Sequence, residues 1–282
     1  MERYEDLTGK IFNNVKVLNR EINKDNHTVW KCECLKCHLI SIKTATQVKN
    51  YGCHCQRRNT VDQDFFEEIN NSKKAYWLGF LWADGYCDPK YKKMKLDLQE
   101  RDKTLLEVFK KDINFSGKIT SYTAKLGKSY RTTEATVYRI AVINEKFVND
   151  LAAKGVISHR ETKNYPHDII PKELFAHFLR GYFEGNGTIS FSCKNRKIKG
   201  LNVAICGGTN FLLDIQQILK NIYGIESSGY YRRPNNPNNI TIRFTKHQEQ
   251  LKFLNLIYQN ADTFMSRKYN KYMEVRAFLA DK

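Results

Sequence analysis

The sequence of 282 residues contains no long hydrophobic run. Its longest apolar stretch covers about nine residues, from Ala75 to Ala83, whereas a helix needs roughly 20 to cross a bilayer. The start of the chain also lacks a basic segment followed by an apolar one, the pattern of a secretory signal. We therefore expect no membrane partner and a cytoplasmic location.

Acidic residues are scarce relative to basic ones. The chain has 30 Asp and Glu against 47 Lys and Arg, which gives a net charge of +17. This excess is larger than solubility requires, so it indicates a polyanionic partner. The hydrophobic fraction of 41% and the charged fraction of 27% are ordinary for globular proteins and exclude wholesale disorder.

Five of the eight cysteines lie within the first 55 residues. Clustered cysteines in a reducing compartment favour a metal site over disulfides. Their spacing is typical of structural Zn²⁺ ligands, and four of the five are enough. We predict a small zinc-binding module over residues 1–60 with the ligands Cys34, Cys37, Cys53 and Cys55; the alternatives are Cys32, His38 and His54.

The rest of the chain contains an internal repeat. Trp77 to Gly85 (WLGFLWADG) is echoed by Leu179 to Gly187 (LRGYFEGNG), with corresponding residues 102 positions apart. Hydrophobic periodicity predicts the same α-β-β-α-β-β-α order in each half, with the repeated segment as the first helix. We therefore predict an α+β protein with a linker at 61–72 and tandem repeats at 73–172 and 173–282.

Each repeated segment predicts a buried helix that ends in a polar residue. The helices are apolar nearly all round, and Gly79 and Ala83 of the first one offer small surfaces where another backbone could approach closely. Gly85 and Gly187 are expected to cap the helices in the left-handed conformation. A carboxylate is unfavourable at the negative end of a helix dipole unless a cation binds there, and oxygen ligands suit Mg²⁺ or Ca²⁺.

These motifs resemble those of the LAGLIDADG homing endonucleases in their two-motif, single-chain form. The resemblance covers roughly residues 64–280, including the stretches 178–183 and 267–272. It implies a pseudo-two-fold β-saddle that lies along the major groove of double-stranded DNA. It also implies a monomer that hydrolyses phosphodiesters with Mg²⁺ at a long, imperfectly palindromic site, or that holds Ca²⁺ in a non-cleaving complex.

Carried over residue by residue, the resemblance assigns the metal-binding acid to Asp84 and, in the second copy, to Asn186. The second position departs from the family pattern, because an amide oxygen can bind a cation but adds no charge. Glu184 faces another side of the helix and is a weak substitute. Two other interpretations therefore stay open: a cleavage-impaired or nicking DNA-binding protein that acts like a repressor, and a maturase that binds intron RNA.

Basic residues recur along the predicted strands. In the family such residues also flank the metal site, and Lys246 is our candidate there, with Arg139 or Lys95 in the first half. Residues two apart share one face of a strand and can project together into a groove. The candidate DNA contacts are Lys93, Lys95, Lys118, Arg139, Lys194, Arg196, Lys197, Lys199, Arg232, Arg233 and Arg243.

The cysteine-rich segment carries a second, less specific resemblance. Its residues around Leu7 to Lys10, Trp30 to Cys32 and Gly52 to Cys55 are similar to small zinc-binding modules of phage and mobile-element DNA-binding proteins. This resemblance implies an additional DNA contact that lengthens the footprint.

Overall fold

The computed structural model describes residues 5–36, 38–53, 59–126, 133–157, 164–194, 197–233 and 236–280. The chain divides into two compact units, residues 1–60 and 61–282. None of the helices in these described ranges is long and apolar enough to cross a membrane.

The first unit is a small antiparallel sheet with one helix. The strands are β1 (Ile11–Phe12), β2 (Val15–Ile22), β3 (Thr28–Cys34) and β4 (Ile40–Lys43), hydrogen-bonded in that order. Helix α1 (Ala45–Tyr51) begins at a capping box made by Thr44 and Gln47. One face of the sheet and Val48 of the helix form a separate small core around Trp30.

The second unit contains the predicted element order twice. The first half runs α2 (Ser72–Asp84), β5 (Tyr86–Asp88), β6 (Lys93–Gln99), α3 (Lys103–Asp112), β7 (Thr120–Leu126), β8 (Thr133–Ile143) and α4 (Glu145–Ala153). The second half runs α5 (Phe175–Asn186), β9 (Gly187–Lys194), β10 (Lys197–Gly208), α6 (Thr209–Tyr223), β11 (Tyr230–Arg233), β12 (Asn236–Phe244) and α7 (His247–Tyr258). A last helix, α8 (Ser266–Ala280), follows.

The two halves also share one sheet topology. The antiparallel strand orders are β5-β6-β8-β7 and β9-β10-β12-β11, so equivalent strands occupy equivalent places. In β6, Met94, Leu96 and Leu98 alternate toward the core, which leaves the residues between them on the outer face. Each sheet therefore has one face packed on helices and one accessible face.

Residues 61–71, which we expected to be part of a linker, contribute to the core. Phe65, Phe66 and Ile69 are buried, and Phe66 makes an edge-to-face contact with Phe147 of α4. The polar composition of residues 56–63 does not continue beyond Gln63, and the second unit begins earlier than the first motif helix.

Candidate active site and nucleic-acid interface

The two motif helices, α2 and α5, pack directly against each other through their glycines. A methyl group built on Gly79 would lie 2.0 Å from the carbonyl oxygen of Phe178, and one built on Gly181 would lie 2.0 Å from that of Tyr76. No side chain fits at either position without displacing backbone. The predicted close approach of the two helices is confirmed.

The glycines that follow the two helices have a different role from the predicted one. Gly85 (φ −71°, ψ 147°) and Gly187 (φ −99°, ψ 164°) are extended, not left-handed. A Cβ on Gly85 would lie 2.7 Å from the oxygen of Leu81, and one on Gly187 would overlap the ring of Phe183. Crowding against the preceding helical turn requires glycine at both positions. After each glycine the backbone continues directly into an edge strand.

Asp84 ends α2 and Asn186 ends α5, and the packing brings these two helix ends together. A methyl group on Gly185, the neighbour of Asn186, would lie 3.1 Å from Oδ2 of Asp84 and 2.3 Å from Cβ of Ala83. Asp84 is exposed and Asn186 is half-buried. This corner therefore presents one carboxylate and one amide, both oxygen donors of the kind that Mg²⁺ and Ca²⁺ bind.

The donor set at this corner is small. Among the residues that the structure describes, no three or more His, Cys, Asp or Glu side chains form a metal-binding group. A hard cation held by one carboxylate and one amide would take its remaining ligands from water and substrate oxygens, which is the usual arrangement for Mg²⁺. The oxygen donors at Asp84 and Asn186 thus fit a divalent cation that is shared with a phosphate.

Lys268, at the start of α8, supplies a buried ammonium group at the same corner. Its Nζ donates hydrogen bonds to the carbonyl oxygens of Phe183 (2.9 Å), Glu184 (2.8 Å) and Gly187 (2.6 Å). Burial, reinforced by repulsion from Arg267, lowers the pKa of Lys268 to about 8. This side chain satisfies the last carbonyls of α5 and offsets the negative end of its dipole.

The sequence pattern assigned no role to Lys268, although the stretch 267–272 carried part of the resemblance. The site candidate was Lys246, which lies exposed at the start of α7. Phe244, two residues before it, pairs with Val203, which pairs with Ile189 on β9. Neighbouring strands are roughly 4.8 Å apart, so the backbone of Phe244 lies two strand spacings, roughly 10 Å, from the strand that follows Asn186. Lys268 provides an ammonium group at the end of α5, and the role of Lys246 stays a prediction.

The Glu184 side chain lies in the interface between the halves and does not face the corner of Asp84 and Asn186. The side chain is fully buried, and its Oε2 accepts hydrogen bonds from the Tyr76 hydroxyl (2.5 Å) and the Met265 backbone N–H (2.7 Å). Trp82, at the equivalent place in α2, donates its indole N–H to the carbonyl of Lys154 (2.8 Å). Trp82 thus links α2 to the segment after α4, and Glu184 links α5 to the segment after α7.

Burial raises the pKa of Glu184 to about 7, even though Tyr76, Met265, Arg180 and Lys268 act in the opposite direction. Between pH 4.5 and 7 the folded state keeps a proton that the unfolded chain has released. The stability that this proton provides is complete below pH 4.5 and is lost as the pH rises to about 7.

We expect the unfolding free energy of the wild type to fall by about 3 kcal/mol over this pH range relative to that of Glu184→Gln. The amide oxygen of the variant still accepts from Tyr76 and Met265 but does not titrate. Denaturant unfolding at pH 4.5, 6 and 7.5 measures the difference, with Glu107→Gln on the exposed face of α3 as the control. Parallel pH profiles of the unfolding free energy for the wild type and Glu184→Gln would contradict the raised pKa of Glu184.

The accessible face of the first sheet carries several of the predicted DNA contacts. Lys93, Lys95 and Arg139 lie on this face, together with Asp97 and Tyr122, and Lys95 lies over the Tyr86 ring, 4.7 Å from its centroid. Lys118 is exposed just before β7. The face is thus mixed in charge, because Asp97 pairs with Arg139.

In the second sheet, Arg243 is exposed on β12, on the face opposite the buried Ile240, Ile242 and Phe244. Arg196 lies outside the described residues. The backbone positions of the other candidates are described within β9, β10 and β11, whereas the side chains of residues 193–199 and 232–237 lie outside the description. The candidates concerned are Lys194, Lys197, Lys199, Arg232 and Arg233.

Three of the five clustered cysteines are described, and all three are buried in the core of the first unit. Cys34 and Cys53 belong to this core with Cys32. The Cys32 thiol donates to the carbonyl of Trp30 (3.4 Å), and burial raises its pKa. His38 lies near Glu33 (3.1 Å), while Cys37, His54 and Cys55 lie outside the described residues.

Comparison with known proteins identifies the class of fold. Residues 173–258 match the family of the LAGLIDADG-like domain. No match is found among curated protein sequences. The match covers most of the second half, and the same strand topology repeats in the first half.

Two solved structures illustrate the likeness. The homing endonuclease I-WcaI, bound to its DNA recognition sequence, has a TM-score of 0.53 and 13% identity, over 73% of this chain and 91% of that chain. The I-LtrWI LAGLIDADG homing endonuclease, bound to target DNA, has a TM-score of 0.48 and 15% identity, over 74% of this chain and 90% of that chain. The likeness to I-WcaI shows that the two proteins share a fold.

Proposed function

We propose that this protein is a sequence-specific endonuclease of the homing type that binds a long, pseudo-palindromic site in double-stranded DNA. The observation that supports this most strongly is the meeting of Asp84 and Asn186 at the ends of two packed helices. Edge strands β5 and β9 begin directly after these residues, so scission would occur between two half-sites, each met by one sheet. A monomer then provides both halves of the site.

In this mechanism Asp84 and Asn186 would hold a divalent cation, Mg²⁺ for cleavage or Ca²⁺ for binding without cleavage. Such an ion polarises the scissile phosphate and lowers the pKa of an attacking water when it is bound. Asp84 provides the negative charge of the site, and Asn186 provides a neutral oxygen. Lys268 holds the end of α5 in place and adds positive charge beside the end of that helix.

A cleavage-impaired or nicking protein is the second candidate, and Asn186 is the observation that favours it. With one carboxylate instead of two, cation affinity is lower on the Asn186 side. One strand would then be cut faster than the other, or the protein would occupy its site like a repressor.

Selection of bound duplexes from a randomised DNA library tests the proposal, followed by incubation of a plasmid that carries the selected site with Mg²⁺. Linear product supports the endonuclease, nicked circles support the nicking form, and tight binding without scission supports the repressor-like form. Selection of structured RNA in preference to duplex DNA, in a parallel RNA library, would instead indicate an intron maturase.

We also propose that the first unit binds one structural Zn²⁺ through Cys34, Cys37, Cys53 and Cys55. The burial of Cys34 and Cys53 in one small core supports this set, and the hydrogen bond from the Cys32 thiol to Trp30 favours Cys32 as the spare residue. A core this small gains much of its stability from a metal.

Metal analysis of protein purified after zinc-replete expression should give about one equivalent of zinc. We expect Cys34→Ala to lose the metal and Cys32→Ala to keep it. Less than half an equivalent in the wild type would contradict the zinc site, and loss in both variants would contradict the ligand set.

A further inference from the structure

Arg139, on the accessible face of the first sheet, is held rigidly by two neighbouring side chains. Its Nε and Nη2 donate to Oδ1 and Oδ2 of Asp97, both at 2.6 Å. Tyr122 donates its hydroxyl to the same carboxylate (2.9 Å) and accepts a hydrogen bond from Nη2 (3.1 Å), while the guanidinium lies 4.7 Å from the centroid of the Tyr122 ring. The three residues come from adjacent strands, so the sheet itself fixes the arrangement.

The Asp97 carboxylate is unusual on a surface proposed to meet DNA. Partial burial acts to raise the pKa of Asp97, but hydrogen bonds from Arg139 and Tyr122 outweigh it and leave the pKa lowered. The carboxylate is thus ionised at neutral pH and cancels the charge of Arg139. A neutral pair attracts phosphates poorly, so affinity for the DNA backbone does not account for it.

The pair does preserve a directional hydrogen-bond donor. Asp97 and Tyr122 occupy the Nε and Nη2 side of the guanidinium, and no hydrogen bond from Nη1 is found within the described chain. About one third of each of the two charged side chains is exposed, on the outer face of the sheet. In the major groove, guanine presents two adjacent acceptors, O6 and N7, and the Nη1 group could donate to either of them.

We propose that Arg139, positioned by Asp97 and Tyr122, reads a single guanine in the half-site bound by the first repeat. The inference rests on the proposed binding of duplex DNA and adds a residue that determines sequence preference. An arginine fixed in advance loses little conformational entropy on binding, and its neutral pair discriminates between bases without raising affinity for all sequences. Asp97 and Tyr122 are therefore positioning residues.

The full-length protein and its variants should be compared by selection from randomised duplex DNA and by titration of the selected site at several salt concentrations. We expect Arg139→Gln to lose about tenfold or more of the preference for guanine at one position and to keep the other positions. Asp97→Asn should weaken the preference at that same position while raising affinity for all duplexes at low salt. Tyr122→Phe should give a smaller loss there.

Two charge-matched substitutions provide the comparison. Lys93→Gln, on the same face, should weaken binding to all sequences alike and reduce the salt slope by about one. Lys111→Gln, on α3 behind the sheet, should change neither property. If the guanine preference survives both Arg139→Gln and Asp97→Asn, the inference about Arg139 is wrong and the proposed function still stands. If the wild type selects no duplex, both the inference and the proposed function are wrong.

Discussion

Replacement of Asp84 by asparagine should lower the rate of DNA cleavage by at least about a hundredfold and leave DNA affinity unchanged or slightly higher. Asp84 provides a carboxylate at the C-terminal end of α2, where α2 and α5 meet, and its side chain is exposed, whereas the Glu184 carboxylate is buried between the helices. Because the amide is nearly isosteric and removes a negative charge at a helix C-terminus, the fold should be kept. The loss therefore reports on cation binding.

Plasmid cleavage under single-turnover conditions measures this effect, and binding in Ca²⁺ measures affinity separately. The reciprocal change, Asn186→Asp, restores a second carboxylate and should increase linear product, or yield it where the wild type only nicks. Asp168→Asn, an exposed aspartate in the segment before α5, serves as the control. Undiminished cleavage by Asp84→Asn would exclude Asp84 as the metal-binding acid.

A second large effect is expected for Gly79→Ala, which should destabilise the protein by about 3 kcal/mol or more. The added methyl group would lie 2.0 Å from the backbone oxygen of Phe178, so the two helices would have to separate. Separation would expose the ring-lined interface around Trp82 and Phe178 and move Asp84 away from Asn186. Activity should therefore fall together with stability.

Denaturant unfolding checks this prediction, with Gly224→Ala as the comparison. Gly224 ends α6 at φ +61°, and a Cβ added there would meet no atom within 4 Å, so alanine should cost only about 1 kcal/mol of backbone strain. Equal losses at the two glycines would show that the helix crossing tolerates a methyl group.

Much of the second unit could be predicted because its information is local and repeated. The strands and helices from Lys93 onward have the expected order, since alternation and helical periodicity each reflect one buried face. The repeat at a spacing of 102 residues identified the paired helices and placed Asp84 and Asn186 in equivalent positions.

Other features depended on neighbours that are distant in sequence or on crowding that periodicity does not show. Glycines 85 and 187 were expected in the left-handed conformation, but steric crowding by Leu81 and Phe183 is what requires them. Lys268 carried no periodic signal, because its partners are the carbonyls of a helix about 80 residues away. Arg139 matched the predicted basic strands, although its pairing with Asp97 depends on cross-strand register.

By itself, the sequence determined the strong positive charge, the duplicated architecture and the two polar helix ends, because charge, periodicity and repetition are properties of the chain. The tertiary structure decided which groups act together: an ammonium beneath the end of α5, a buried glutamic acid between the halves and an arginine held against a carboxylate. These assignments depend on distances of a few ångströms between residues far apart in sequence, and only packing sets such distances.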